Sequence, residues 1–130
     1  MKAIDTNVVL RLIVRDDPAQ IEHAKNIVAS PFMLLPTVIL ETVWVLQTRF
    51  GFDRTRIVNE LAKVMALDTA STMSKLAIQW ALERFLYGGD FADMLHIGLA
   101  AQTDASHFTT FDKRIERHVV DADIVIETLG

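Results

Sequence analysis

Short apolar runs alternate with longer segments of helical periodicity along this chain, and this alternation constrains the fold more than any other feature. Four runs are typical of strands, at residues 2–4, 32–35, 107–110 and 124–126. Between them, apolar residues recur at three- and four-residue spacing, as they do in amphipathic helices. Strands that alternate with helices pair in parallel. The sequence therefore predicts an α/β fold with a mainly parallel sheet flanked by helices.

Helix boundaries are predicted from capping residues. Asp17 followed by Pro18 indicates a helix start, and Asp53 and Asp90 are expected to cap two further helices. Asn7 is a candidate cap for a short helix or turn that follows the first strand. The remaining expectations are a helix over 38–50 capped by Thr37, a long helix from Ser71 to Tyr87, a helix over 91–102, and a short basic helix over 113–117 opened by Asp112.

The composition fits one domain spanning residues 1–130. A hydrophobic content of 51% is enough for a sizeable core. The chain has no cysteine, which excludes disulfides and thiolate metal ligands and is compatible with a reducing cytoplasm. No membrane span is expected, because Pro36 and Glu41 interrupt the longest apolar region. A net charge of −4 argues weakly against a generic nucleic-acid binder, unless several acids share one metal site.

Four carboxylates stand out from this background. Asp5 and Asp112 fall at or just beyond the carboxyl ends of predicted strands, where ligands gather in parallel sheets. Asp93 falls in the first turn of a helix, and Glu41 is the sole charge between Phe32 and Gln47. Taken singly, the aspartates suit turns, caps and helix starts. Their combination in one small chain indicates a shared site.

Glu41 makes the strongest individual case. Its helical neighbours are mostly apolar, so its side chain is expected to point where apolar side chains point. A buried, unpaired carboxylate is costly and tends to become neutral. Two explanations remain at this stage, which are a salt bridge to an arginine and a bound metal cation.

Metal chemistry supplies a reason to group the four acids. Carboxylates about 4 Å apart repel by roughly 4 kcal/mol per pair at an effective dielectric near 20. A cation removes that repulsion, and oxygen-only ligands suit Mg²⁺ or Mn²⁺. Such an ion lowers the pKa of bound water and stabilises the oxygens that attack and leave a phosphorus atom. The predicted chemistry is phosphodiester hydrolysis.

Four segments carry a resemblance to a known family. They are IDTNVV, LETVWVL, DFADMLHIGLA and FTTFDKR, and their order and spacing cover nearly the whole chain. Together they resemble the PIN-domain ribonucleases, in particular the VapC toxins of bacterial toxin–antitoxin pairs. The resemblance implies a three-layer α/β/α fold, Mg²⁺-dependent endoribonuclease activity and inhibition by a cognate antitoxin. It also favours a homodimer with an apolar groove for an antitoxin segment.

The resemblance also implies roles for individual residues. Asp5, Glu41, Asp93 and Asp112 would be the metal-binding acids. In the hypothesis that follows, Asp5 and Asp93 hold the principal Mg²⁺, Asp112 assists directly or through water, and Glu41 orients or deprotonates the attacking water. The cut RNA would then carry 5′-phosphate and 3′-hydroxyl ends.

Several further residues are candidates for supporting roles. The hydroxyls of Thr6 and Thr110, and the amide of Asn7, lie near proposed ligands and could hold a carboxylate or a metal-bound water. Local capping and turn bonds explain them equally well. His96 is expected to be a satisfied histidine at a packing surface. Basic residues near the acids in sequence are candidates to contact RNA phosphates, with a solvated basic face as the alternative, and they are Arg11, Arg15, Lys113, Arg114 and Arg117.

Two other functions compete with the ribonuclease. A haloacid-dehalogenase-like phosphatase would use Asp5 as its nucleophile, although Asn7 stands where that family has a second aspartate. A PIN-like scaffold would bind RNA or a protein partner without cutting. The intact set of four acids argues against the scaffold.

Overall fold

The computed structural model describes residues 1–119 and 121–130. The chain divides into two compact units, an N-terminal unit of Met1–Met73 and a C-terminal unit of Ser74–Gly130. Each unit combines helices with parallel strands, and every strand pair among the described residues is parallel. The predicted α/β class and parallel pairing are therefore confirmed.

The N-terminal unit contains a three-stranded sheet in the order β1-β2-β3. Its strands are β1 (Lys2–Ala3), β2 (Phe32–Leu34) and β3 (Ala70–Thr72), and its helices are α1 (Thr6–Val14), α2 (Pro18–Val28), α3 (Pro36–Thr48) and α4 (Arg54–Met65). The central strand β2 is the most buried, with Phe32 and Leu34 fully enclosed. A strand covered on both faces has this continuous apolar character.

The C-terminal unit pairs two helices with a two-stranded sheet. Its elements are α5 (Lys75–Leu86), α6 (Phe91–Ala100), β4 (His107–Thr110), a 3-10 helix (Ile115–His118) and β5 (Val125–Thr128). Gly98 lets α6 approach α5 closely, since a Cβ atom at Gly98 would lie 3.0 Å from the carbonyl oxygen of Ala77. The rings of Phe85 and Phe91 meet edge to face with centroids 5.9 Å apart. This contact closes the turn between the two helices.

Three predicted helix caps are confirmed. The Asp17 carboxylate accepts hydrogen bonds from the amides of Ala19 and Gln20, with Pro18 as the first helical residue. Asp53 accepts from the amide of Arg56, and Asp90 accepts from the amide of Asp93. Each carboxylate satisfies an amide that has no partner inside the helix.

Two expected boundaries were wrong. Thr37 does not cap α3, because Pro36 already occupies the first turn and Leu35 stands at the cap without a side-chain bond. The long helix from Ser71 is also shorter than expected, because residues 70–72 form β3 and α5 begins at Lys75. Strand β3 forms through its pairing with β2, in which Ser71 lies beside Met33. The helical periodicity of the sequence gives no information about Met33 as a pairing partner, because Met33 is far away in the chain.

Within the described residues, no helix is long and apolar enough to cross a membrane.

Candidate active site

Asp5 lies at the carboxyl end of the first strand, as predicted. Directly after β1, the amide of Ile4 donates a hydrogen bond to the carbonyl oxygen of Met33 in β2 at 3.2 Å. Helix α1 then begins at Thr6. Asp5 is the N-cap of that helix, and its Oδ1 accepts from the Thr6 amide at 2.8 Å. Asn7 lies inside α1, so the expectation that Asn7 caps this helix was wrong. The exposed carboxylate of Asp5 keeps its other oxygen open to solvent or a ligand.

Glu41 is exposed, which corrects the expectation that it points into the apolar core. The buried face of α3 carries Val38, Thr42 and Val45, whereas Glu41 shares an outer strip with Thr37 and Trp44. Helix neighbours three and four residues away lie on both sides of a side chain, so apolar neighbours do not prove burial. Within the described residues Glu41 forms no ion pair, so the alternative of an arginine salt bridge is not found either. Its carboxylate is therefore open to solvent.

Asp93 is half-buried in the first turn of α6, where its amide donates to Asp90 Oδ2 at 3.0 Å. Burial raises the pKa of the Asp93 carboxyl, and the negative charges of Asp90 and Asp112 raise it further. His96 and Arg114 act in the opposite direction. His96 is exposed rather than packed, which corrects the expectation for that residue. A bound cation would therefore stabilise the ionised form of the Asp93 carboxyl.

Asp112 follows β4 and is held by two neighbours. Its amide donates to the Thr110 hydroxyl at 3.0 Å, so Thr110 makes a local turn bond that fixes the backbone at Asp112. Its Oδ1 accepts from the backbone amide and Nε of Arg114, and its Oδ2 accepts from Nη2, at 2.9–3.0 Å. These side-chain and backbone bonds from Arg114 lower the pKa of Asp112. The expected helix opened by Asp112 was wrong, since the 3-10 helix starts at Ile115, after this turn.

Asp93 and Asp112 line the same cavity, which lies in the C-terminal unit and has a volume of about 360 Å³. Three carboxylates line it, from Asp90, Asp93 and Asp112. Three cationic or titratable groups line it as well, and they are Arg114, Arg117 and His118. The cavity therefore offers oxygen ligands for a cation beside groups that attract phosphate.

The predicted RNA-contact residues are in different environments. Arg11 pairs with Asp16 at 3.1 Å, and the Nε of Arg15 donates to the Leu12 carbonyl oxygen. Arg15 caps the far end of α1, about 15 Å along the helix axis from Asp5 at 1.5 Å per residue. Lys113 is exposed and forms no ion pair within the described residues. Local geometry thus supports the residues after β4 as phosphate contacts better than those of α1.

Among the described residues, no three histidine, aspartate or glutamate side chains are arranged to hold one metal ion. The donor chemistry still fits Mg²⁺, because this ion keeps several waters and needs only one or two direct carboxylates. Asp93 and Asp112 supply two carboxylates around one cavity, and the charge of Asp112 raises the pKa of Asp93. Thr6 is buried and its amide is used by Asp5, so it supports that carboxylate through the backbone.

Sequence reasoning assigned no functional part to His118 or Tyr87. His118 lines the cavity, and Tyr87 is among the most exposed large apolar residues, at 76%. The only sequence signal near them was the basic composition of residues 113–117. Their proximity depends on how the 3-10 helix folds back onto the end of α5, which periodicity does not reveal.

Comparison with known proteins agrees with this architecture. No curated protein matches the sequence, but the PIN domain family matches residues 2–120. That match includes all four carboxylates singled out above. PIN domains are generally nucleases, and they typically use divalent metal ions. The chain is thus a member of the PIN domain family.

Proposed function

We propose that this protein is a Mg²⁺-dependent endoribonuclease and acts as the toxin of a VapC-type toxin–antitoxin pair. The observation that carries the proposal is the cavity that Asp93 and Asp112 line together with Arg114 and Arg117. Carboxylates that bind a cation, next to guanidinium groups that bind phosphate, suit the cleavage of a phosphodiester. Membership of the PIN domain family supports the nuclease chemistry.

In this proposal Asp93 and Asp112 would bind the Mg²⁺ ion in the cavity of the C-terminal unit, and the resemblance to PIN-domain ribonucleases implies Asp5 as a further metal-binding acid. The bound ion would neutralise the carboxylates and polarise the scissile phosphate; Mn²⁺ would serve in the same way. Arg114 and Lys113 contact the phosphate backbone. Asp5 and Glu41 belong to the N-terminal unit and the other two acids to the C-terminal unit, so the common role of all four rests on the family.

Glu41 is the proposed base. Its exposed carboxylate has no ion pair within the described residues, so it is free to accept a proton from the attacking water. The water oxygen then bonds to phosphorus in line with the bond to the 3′-oxygen, which breaks, and the departing 3′-oxygen takes a proton from solvent water. The products carry 5′-phosphate and 3′-hydroxyl ends.

The proposed protein partners are a cognate antitoxin and a second copy of the chain. We also propose a cytoplasmic location, because the proposed substrate is cellular RNA. Exposed apolar side chains support protein contacts in each unit. Trp44 is 56% exposed in the N-terminal unit, and Leu76 is 76% exposed in the C-terminal unit. Aromatic residues such as tryptophan are enriched at protein–protein interfaces.

Sequencing of RNA ends after brief expression tests this function. Wild type should generate new 5′-phosphate and 3′-hydroxyl ends, whereas Asp93→Asn should reduce them at least about a hundredfold, the scale expected for loss of a group that acts in the transition state. Asp104→Asn is the matched control, because Asp104 is an exposed acid of the same unit that does not line the cavity. It should cut like wild type.

Three results would contradict the proposal. Ends with 2′,3′-cyclic phosphate would replace metal-assisted water attack with a route through the RNA 2′-hydroxyl. Wild type that binds RNA and never cuts it would favour the non-catalytic scaffold. A phosphorylated Asp5 would instead support the phosphatase, for which the family match offers no support.

A further inference from the structure

We propose that the C-terminal unit carries a path for single-stranded RNA, which leads from the carboxylate cavity over Arg117 and His118 to the exposed ring of Tyr87. The inference rests on the proposed RNA substrate. It assigns Arg117, one of the candidate phosphate contacts, a place on this path and adds a base-stacking position at Tyr87. Neither residue belongs to the set of metal-binding acids.

The path follows two adjoining cavities. Arg117 and His118 line the cavity of about 360 Å³ that contains Asp93 and Asp112. The same two residues line a second cavity of about 380 Å³, which Tyr87 also lines. A strand whose scissile phosphate lies beside the carboxylates therefore meets Arg117 next and Tyr87 beyond it.

Arg117 is the cation best placed to bind a phosphate on this path. Within the described residues its side chain forms no ion pair or hydrogen bond, whereas Arg114 is already bound to Asp112 through two side-chain bonds. Arg84, which lines the second cavity, pairs with Glu83 and lies over the Trp80 ring at 4.4 Å. A guanidinium without a carboxylate partner is available to bind a phosphate in bidentate fashion.

The backbone holds these side chains in place. Ile115 anchors the 3-10 helix with only 3% of its surface exposed, and Arg117 and His118 are the last two residues of that helix. Gly88 has a φ of 108° and lies against His118, whose Cε1 is 3.5 Å from the position of a Gly88 Cβ atom. Glycine adopts this conformation without strain. His118 thus lies directly beside the residue that follows Tyr87.

Tyr87 offers the stacking surface. It ends α5, where its amide donates to the Arg84 carbonyl oxygen at 3.2 Å, so its backbone is fixed while its ring is exposed. Unpaired RNA bases stack on exposed aromatic rings next to backbone-binding cations. The polar and charged walls around Tyr87, from Glu83, Arg84, Arg117, His118 and Asp121, favour RNA over an apolar protein segment.

Binding of a fluorescent eight-nucleotide single-stranded RNA in EDTA, measured by anisotropy, tests the path without cleavage. Tyr87→Ala should weaken binding about tenfold, the scale of one lost base stack, and Tyr87→Phe should bind like wild type. Arg117→Gln should weaken binding about tenfold and reduce the slope of log affinity against log salt by about one. Leu76→Ala and Lys75→Gln are controls, because Leu76 is as exposed as Tyr87 and Lys75 is an exposed cation of the same unit that lines neither cavity. Both should stay within about twofold.

Two outcomes would overturn the path. One is equal weakening by Arg117→Gln and Lys75→Gln, which would indicate general charge attraction. The other is unchanged RNA binding by Tyr87→Ala. If that variant also loses self-association, Tyr87 is a protein contact instead. Wild type that cuts RNA while Tyr87→Ala binds normally would refute the path and keep the nuclease. Wild type that never cuts while these variants lose binding would refute the nuclease and keep the path.

Discussion

The carboxylates of the two units differ in their surroundings. In the N-terminal unit, Asp5 and Glu41 are exposed and have no cationic partner within the described residues. In the C-terminal unit, Asp93 and Asp112 line one cavity and their pKa values are shifted in opposite directions. The carboxylates of the first pair are exposed to solvent, whereas burial raises the pKa of Asp93 and hydrogen bonds from Arg114 lower the pKa of Asp112.

This difference predicts which acids bind a divalent cation in the absence of RNA. Arg114 lowers the pKa of Asp112 and so keeps that carboxylate ionised. Burial raises the pKa of Asp93, and the charge of Asp112 adds to the effect. A divalent cation in the cavity would reverse the cost of ionising Asp93. The C-terminal pair should therefore dominate metal binding in the absence of RNA.

The largest expected effect compares Asp93→Asn with Glu41→Gln. Asp93→Asn should weaken Mn²⁺ binding about 10- to 100-fold, because loss of even an indirect ligand partner has that effect. Glu41→Gln should change binding less than about twofold, because an exposed and unpaired charge interacts weakly. Mn²⁺ binding measured by electron paramagnetic resonance checks this. Equal losses in the two variants would remove the distinction between the units.

A smaller effect is expected from Arg114. Arg114→Gln should strengthen Mn²⁺ binding up to about fivefold, because it frees both Asp112 oxygens from an exposed ion pair. The control is Lys113→Gln, which removes the same charge one residue away without touching Asp112. If both variants strengthen binding equally, the bond to Asp112 is irrelevant and only total charge matters.

The smallest effect concerns pH. Asp90→Asn should lower the pKa of Asp93, but only in part, because burial is the larger cause of the raised value. Asparagine still caps α6, so the helix should be preserved. Carbon-13 NMR of the metal-free protein can follow the Asp93 carboxyl through its titration. An unchanged Asp93 titration would show that the charge of Asp90 does not reach it.

The opposite pKa shifts also predict opposite effects on stability. The pKa of Asp93 is raised on folding, so its contribution is present below the unfolded pKa and is lost as pH rises through the folded value. The pKa of Asp112 is lowered, so its contribution is present above the unfolded pKa and is lost as pH falls through the folded value. Urea unfolding at several acidic pH values should show Asp93→Asn and Asp112→Asn differing from wild type with opposite pH trends.

The features that were predictable from sequence are those whose partners lie a few residues away. Asp17, Asp53 and Asp90 cap helices through amides two or three residues later, so the cap and its partner appear together in the sequence. Asp5 at a strand end is of the same kind. The helix assigned to Ser71 was wrong because its alternative, pairing with Met33, lies far away in the chain.

Glu41 shows the same limit at the candidate site. Its sequence neighbours are apolar, and that fact suggested burial, yet only the packing of α3 decides which strip of the helix faces outward. The bond between Arg114 and Asp112 is local, but the cavity that they share with Asp93 requires α6 and the segment after β4 to meet. The spacing of these residues in the sequence does not predict the contact between α6 and the segment after β4.

The sequence by itself determined the α/β class, the parallel pairing and three helix caps, because these depend on local hydrogen bonds and on hydrophobic periodicity. The tertiary structure alone decided which carboxylates are exposed and which are coupled to their neighbours. Exposure, and the effect of Asp112 on Asp93, depend on distances between segments far apart in the chain, and those distances are set by packing. For that reason the strongest sequence argument, at Glu41, and the strongest structural argument, at Asp93 and Asp112, concern different residues.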